Sequence, residues 1–159
     1  VLFSGTIDSN IRYGKPEITD AQVKEAAEVA QATEFIDTKP EKYESPVSQG
    51  GTNVSGGQKQ RLSIARAIAK EPEIFIFDDS FSALDFKTDS QLRKALKEYT
   101  KDATTVIVAQ RISTILGADQ IIVLDDGHMA GIGTHKELMA NCEVYQQIAR
   151  SQLSEEELA

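Results

Sequence analysis

Apolar positions recur along the 159-residue chain with two different spacings. Val23, Ala26, Ala27 and Ala30 follow the three-and-four spacing of one helix face, behind Thr19 and Gln22 at the spacing of a capping box. Leu62, Ala65, Ile68 and Ala69 repeat the pattern and predict a helix over about 56–70, closed by Glu71-Pro72. Leu92, Ala95, Leu96 and Tyr99 mark a third such face, with Asp85 placed to cap its helix. Between these lie two unbroken apolar runs bounded by polar residues, "IFIF" (Ile74–Phe77) and "TVIVA" (Thr105–Ala109). Runs of that kind are expected of strands buried in a parallel sheet. Gln120–Gly133 reads as two strands joined at Asp126-Gly127, a hairpin turn. Thr134 and Glu137 box the start of a helix over about 135–141.

The remaining segments are less regular. Val1–Gly14 predicts the end of an extended segment, a Ser-Gly turn and a short helix over about 6–12. Lys39–Asn53 is rich in Pro, Gly and Ser and reads as a loop; the polar tail from Ser151 to Ala159 is expected to fray. Strands alternating with helices place the chain in the α/β class, with a mostly parallel sheet and flanking helices. A helical lobe is expected over about 1–70, a sheet-bearing lobe over about 71–141, and a C-terminal helix and tail over about 142–159.

Composition narrows the function. Hydrophobic residues make up 40% of the chain, enough for a packed core. The net charge of −8 argues against a nucleic-acid partner, which needs a basic stripe to meet phosphates. The single cysteine, Cys142, excludes an internal disulfide, fits a reducing compartment, and is read as a small core residue. No apolar run approaches the roughly 18 residues of a membrane span. The chain opens at Val1, inside an apolar segment, as expected of a piece of something longer.

Two stretches could carry chemistry. Ser55-Gly56-Gly57-Gln58 opens a helix, where unpaired backbone N–H groups and the positive end of the dipole favour an anion, and glycines let a phosphate approach. A simple capping box between Ser55 and Gln58 explains the same residues. Asp78 and Asp79 stand at the carboxyl end of a strand, the edge where open α/β sheets bind ligands. One carboxylate could hold Mg²⁺ and its neighbour orient a water, or both could merely solvate a loop.

Taken in order, "VSGGQKQR", "IFIFD" and "SALD" resemble the nucleotide-binding domain of ATP-binding cassette (ABC) transporters. They are similar to its signature motif (with Val54 where Leu is usual), its Walker B strand and its D-loop. "LFSGTIDSNIRYG" and "GIGTHKEL" look like the exporter branch. The resemblance implies part of a P-loop NTPase domain of the ABC-ATPase type, with a helical subdomain. It implies ATP and Mg²⁺ as cofactors, and a head-to-tail pair of such domains around two ATP molecules. Ser55, Gly56, Gly57 and Gln58 would serve the partner's ATP, Asp78 the Mg²⁺ of this chain's own site, and Asp85 the dimer interface beside the nucleotide. Ser45–Gly51 would touch the coupling helices of a transmembrane domain, with Gln49 where glutamate is common. The place of work would be the cytoplasmic face of a membrane.

The departures from that pattern carry information. No G-x-x-x-x-G-K-[ST] occurs, so the phosphate loop is expected upstream of Val1, as is the glutamine loop. Alone, the chain is expected to bind ATP poorly, to be unstable and to expose apolar surface. The catalytic position holds Asp79 where the family has glutamate, which retracts the carboxylate by about 1 Å, a displacement that can cost about a hundredfold in rate. The switch position holds Gln110 where the family has histidine. Both changes resemble the degenerate half of heterodimeric exporters, with a slow site of its own and a signature that completes the partner's. The alternatives are a slowed symmetric homodimer, a regulatory nucleotide-binding module without turnover, and a soluble ABC ATPase of the DNA-repair or chromosome type. Acidity and missing heptads count against the last. Phe3 and Tyr13 are read as packing rather than adenine-stacking residues, His128 as a turn residue, and His135 as a helix-start residue with no metal role.

Overall fold

In the computed structural model, which describes residues 1–154, a two-residue strand, β1 (Gly5–Thr6), runs directly into helix α1 (Ile7–Ile11). Thr6 and Ser9 cap the helix reciprocally, and Ile7 and Ile11 are fully buried. Asn10, 1% exposed, is a satisfied polar hub in this core. Its Oδ1 accepts from the Phe3 N–H at 2.9 Å and from Arg66 Nη2 at 2.8 Å; its Nδ2 donates to the Phe3 and Thr6 carbonyls, both at 2.9 Å. The Arg66 guanidinium lies over the rings of Phe3 (5.1 Å) and Tyr13 (5.5 Å), themselves stacked at 4.0 Å. The two rings pack on each other and under Arg66, with Tyr13 half exposed.

Helix α2 (Asp20–Val29) starts at the Thr19–Gln22 box and buries Val23, Ala26 and Ala27. The short α3 (Thr33–Asp37) follows, with no counterpart among the elements expected from the sequence. The Pro/Gly/Ser-rich segment is more ordered than the loop expected of it: 3-10 turns at Lys42–Glu44 and Gln49–Gly51 flank one strand. This is β2 (Pro46–Val47), antiparallel to β1 with Gly5 opposite Val47. Helix α4 (Gly56–Ile68) buries Leu62, Ile64, Ala65 and Ile68, and both α1 and α2 pack on it. It is the axis of the helical layer.

Strand β3 (Ile74–Asp78) alternates: Phe75 and Phe77 are buried, Ile74 and Ile76 are 60% and 71% exposed. Helix α5 (Phe86–Tyr99) buries Leu92 and Leu96 and leads to β4 (Thr104–Val108), the neighbour of β3. The Thr104 N–H donates to the Glu73 carbonyl at 2.9 Å, so the starts of the two strands meet, as a helical crossover requires. Val106 and Val108 of β4 are exposed. The expectation that both strands are wholly buried is therefore corrected. The apolar runs have the composition to be covered on two faces, but nothing among the described residues covers the second. The described sheets are three pairs, β1–β2, β3–β4 and one further hairpin, rather than one wide sheet.

Val1–Val106 form one compact unit and a second begins at Ile107. The second contains α6 (Ile112–Ile115), β5 (Ile121–Asp125), β6 (His128–Gly133), α7 (His135–Asn141) and α8 (Glu143–Gln152). Strands β5 and β6 are antiparallel around Asp126 (φ 44°) and Gly127 (φ 78°), the two left-handed residues of a type I′ turn. Ile121, Val123, Leu138 and Tyr145 form the core with Cys142, as expected for that thiol. A Cβ at Gly131 would lie 2.9 Å from Cys142 Sγ, so β6 approaches that sulfur closely only because it has glycine there. His135 Nδ1 lies 2.8 Å from the Tyr145 hydroxyl. The start of the tail departs from expectation: Ser151 and Gln152 continue α8, and Leu153 is 8% exposed in the core. The tail beyond Ser154 lies outside the described residues.

Candidate functional site

Ser55 sits extended (φ −67°, ψ 163°) at the N-cap of α4, and its Oγ accepts from the Gln58 N–H at 3.2 Å. Gln58 Oε1 accepts in return from the Ser55 N–H, also at 3.2 Å. The capping box is therefore present. The Lys59 N–H donates to the Ser55 carbonyl at 2.9 Å. Of the first four helical amides, only those of Gly56 and Gly57 have no protein partner among the described residues. The box and the anion site are thus compatible: the cap uses one amide and leaves two.

The glycines also serve a close approach. A Cβ at Gly57 would stand 3.1 Å from the Ala83 carbonyl oxygen, and one at Gly56 would meet the Ala83 methyl at 3.5 Å. Between helix tip and loop lies a cleft of about 370 Å³, lined by Ser55, Gly56, Gly57, Arg61, Ala83, Leu84, Asp85 and Thr88. Asp85 caps α5 on its rim, accepting from the Thr88 N–H at 3.0 Å and the Thr88 hydroxyl at 2.7 Å. The bond from the Thr88 N–H, aided by its hydroxyl, holds the Asp85 carboxyl below its ordinary value. Arg61 supplies positive charge. Its guanidinium lies 4.8 Å from the Phe35 ring centre, donates to the Gln31 carbonyl at 2.7 Å, and titrates below its ordinary value because it is partly buried.

Asp78 ends β3 with its side chain exposed, and its carbonyl accepts from Ser80 Oγ at 3.3 Å. Asp79, also exposed, has φ 46°, in the left-handed region that side chains other than glycine rarely adopt. Its carbonyl accepts from Ser82 Oγ and Gln60 Nε2, both at 3.3 Å. Neither aspartate lines the cleft at the α4 tip. Gln110 follows β4 in the second unit, where its carbonyl accepts from Gln152 Nε2 at 2.8 Å. The structure thus gathers Ser55, Gly56, Gly57 and Asp85 at one cleft, with Gln58 turned back onto Ser55, and sets Asp78 and Asp79 at the far end of the same loop. Sequence reading missed Gln60 and Arg61, whose roles depend on how the chain folds back on itself.

A family model described as ABC transporter matches residues 3–82. Over 95% of its length the chain is 47% identical to an uncharacterised ABC transporter ATP-binding protein of Mycobacterium bovis. The chain belongs to the ABC transporter family. Within that family it is also 47% identical, over 93% of its length, to a provisionally named multidrug export ATP-binding/permease protein of Staphylococcus aureus. A solved bacterial Atm1-family ABC exporter with ATP bound superposes with a TM-score of 0.92 over 98% of the chain, at 38% identity. The chain spans about a quarter of these proteins, 26% of the two relatives and 27% of the exporter chain. The expected fold class is the one found: part of an ABC-type ATPase domain of the P-loop NTPase fold, with a helical subdomain and small sheets.

Proposed function

We propose that the chain is part of the ATP-binding and hydrolysing module of an ABC exporter, and that it works at two nucleotides at once. The Gly56 and Gly57 amides, unpartnered at the positive end of a 13-residue helix, fit the terminal phosphate of an ATP held by a second nucleotide-binding domain. This observation carries the reading. Ser55 and Gln58 hold the tip in shape, and Asp85 on the cleft rim faces the domain interface. Asp78 offers a hard oxygen ligand suited to the Mg²⁺ of the chain's own ATP, and that ion would neutralise charge on the phosphates. Asp79 and Gln110 take the water-orienting and γ-phosphate-sensing positions of that own site.

At both positions the group is the weaker one for hydrolysis, a carboxylate one methylene short and a side chain without the charge of a histidinium. We therefore assign slow or absent hydrolysis to the chain's own site, and a different subunit as its partner. The other proposed partner is the transmembrane domain, met through Ser45–Gly51 at the cytoplasmic face of the membrane. There Gln49 Oε1 accepts from the Ser4 N–H at 3.1 Å and holds the loop. The exposed faces of β3 and β4 are the surface that the rest of the domain would cover.

The test uses the complete transporter. Substituting the glutamate that stands in the partner at the position of Asp79 is expected to abolish turnover, and Asp79→Glu with Gln110→His to restore part of it. Turnover unchanged by the partner substitution would overturn the asymmetry. A purely regulatory module is separated by trapping nucleotide at each site of the pair, since it would trap none at either.

A further inference from the structure

Gln60 lies one turn inside α4, and its amide is engaged wholly by the loop that follows β3. Its Oε1 accepts from the Ala83 N–H at 2.9 Å; its Nε2 donates to Ser82 Oγ at 3.1 Å and to the Asp79 carbonyl at 3.3 Å. The Asp79 carbonyl belongs to the residue with the left-handed backbone. A residue with a Cβ adopts that region at some cost, and contacts that hold its carbonyl favour it. Two side chains on its carbonyl, Gln60 and Ser82, supply that restraint. On the other side of the loop, Gly57 lacks the Cβ that would stand 3.1 Å from the Ala83 carbonyl oxygen, which lets the loop lie close against the helix. Loop 79–83 is therefore fixed to the first turns of α4 at both ends.

We infer that Gln60 is a positioning residue that makes the α4 tip and the Asp79 loop one mechanical part. The inference rests on the reading above, in which the tip and Asp79 serve different nucleotides. A shift of the tip as it closes on the partner's phosphate then carries Asp79 with it. No other described side chain joins α4 to the Asp79 carbonyl by a hydrogen bond. Occupancy of one site thus reaches the carboxylate of the other without passing through the partner.

Hydrogen exchange on the complete transporter tests this, with and without a non-hydrolysable ATP analogue. In the parent protein the analogue is expected to protect both the 55–60 and the 79–85 peptides. In Gln60→Ala the 55–60 peptide stays protected, the 79–85 peptide gains no protection, and its exchange without nucleotide rises by about tenfold. Gln60→Glu keeps an acceptor for the Ala83 N–H but loses the donor to Asp79, so it restores the basal exchange and not the coupling. With the own site made competent by Asp79→Glu and Gln110→His and the partner's glutamate substituted, adding Gln60→Ala lowers kcat by about tenfold with the KM for ATP nearly unmoved, as for a misplaced rather than a missing group. Loop protection by the analogue that survives Gln60→Ala would overturn the inference, as would exchange raised evenly along α4, the mark of a role in folding only. Absence of analogue protection at 55–60 in the parent protein would instead sink the two-nucleotide reading, while the basal exchange of 79–85 still decides whether the clamp exists.

Discussion

The helical layer and the β3–β4 pair both carry apolar residues to bury, yet only one of them is closed. Around α4, Leu62, Ala65 and Ile68 are covered by α1 and α2, and Arg66 of the same helix donates to the carbonyl and side chain of the buried Asn10. On β3, Phe75 and Phe77 are covered while Ile74 and Ile76 face outward. An apolar run thus states what a strand is able to bury, whereas a helical stripe with its caps and partners on both sides states what it does bury.

Equal cuts into the two regions give the strongest contrast. Leu62→Ala is expected to cost about 3 kcal/mol wherever α4 is folded, as a buried large-to-small change. Ile76→Thr should cost less than about 0.5 kcal/mol in the chain as it stands. In the complete domain it should cost about 1–3 kcal/mol, if the open face is covered there. Denaturant titration of both forms checks this, and equal costs for Ile76→Thr in the two would mean that the face stays open.

A smaller effect probes how the closed region handles polarity. Asn10→Ala strips partners from the Phe3 N–H, two carbonyls and Arg66 Nη2, and should cost about 2 kcal/mol by the same titration. The smallest effect is electrostatic and lies at the cleft. Asp85 is held below its ordinary value by Thr88, so its folded-state pKa lies below its unfolded one. A depressed carboxylate stabilises fully above the unfolded value and loses that contribution as pH falls through the folded value. Stability should therefore decline on acidification below the ordinary aspartate range, and less steeply in Asp85→Asn. Thermal melts across that range decide it: the same slope in both proteins would mean that Asp85 contributes nothing to the decline.

What was legible in the sequence was local. The boxes at Thr19, Ser55 and Thr134 and the Asp126-Gly127 turn each depend on residues within four positions, and each stands in the structure. Long-range matters were not legible. The β1–β2 pairing joins Gly5 to Val47 through two-residue strands too short to show a period. The short helices α3 and α6 are too brief to carry a hydrophobic stripe. At the candidate site, the motif residues could be named from their order, but the left-handed backbone of Asp79 and the grip of Gln60 arise only when α4 and the loop after β3 are folded against each other.

The close contact of Gly131 with Cys142 gives the second unit a gauge of its own. With one cysteine in the chain, and its sulfur wedged where even a methyl group on the facing strand would collide, a thiol reagent has no room to react until that packing parts. The labelling rate of Cys142 under native conditions therefore counts how often the unit breathes, with no engineered thiol.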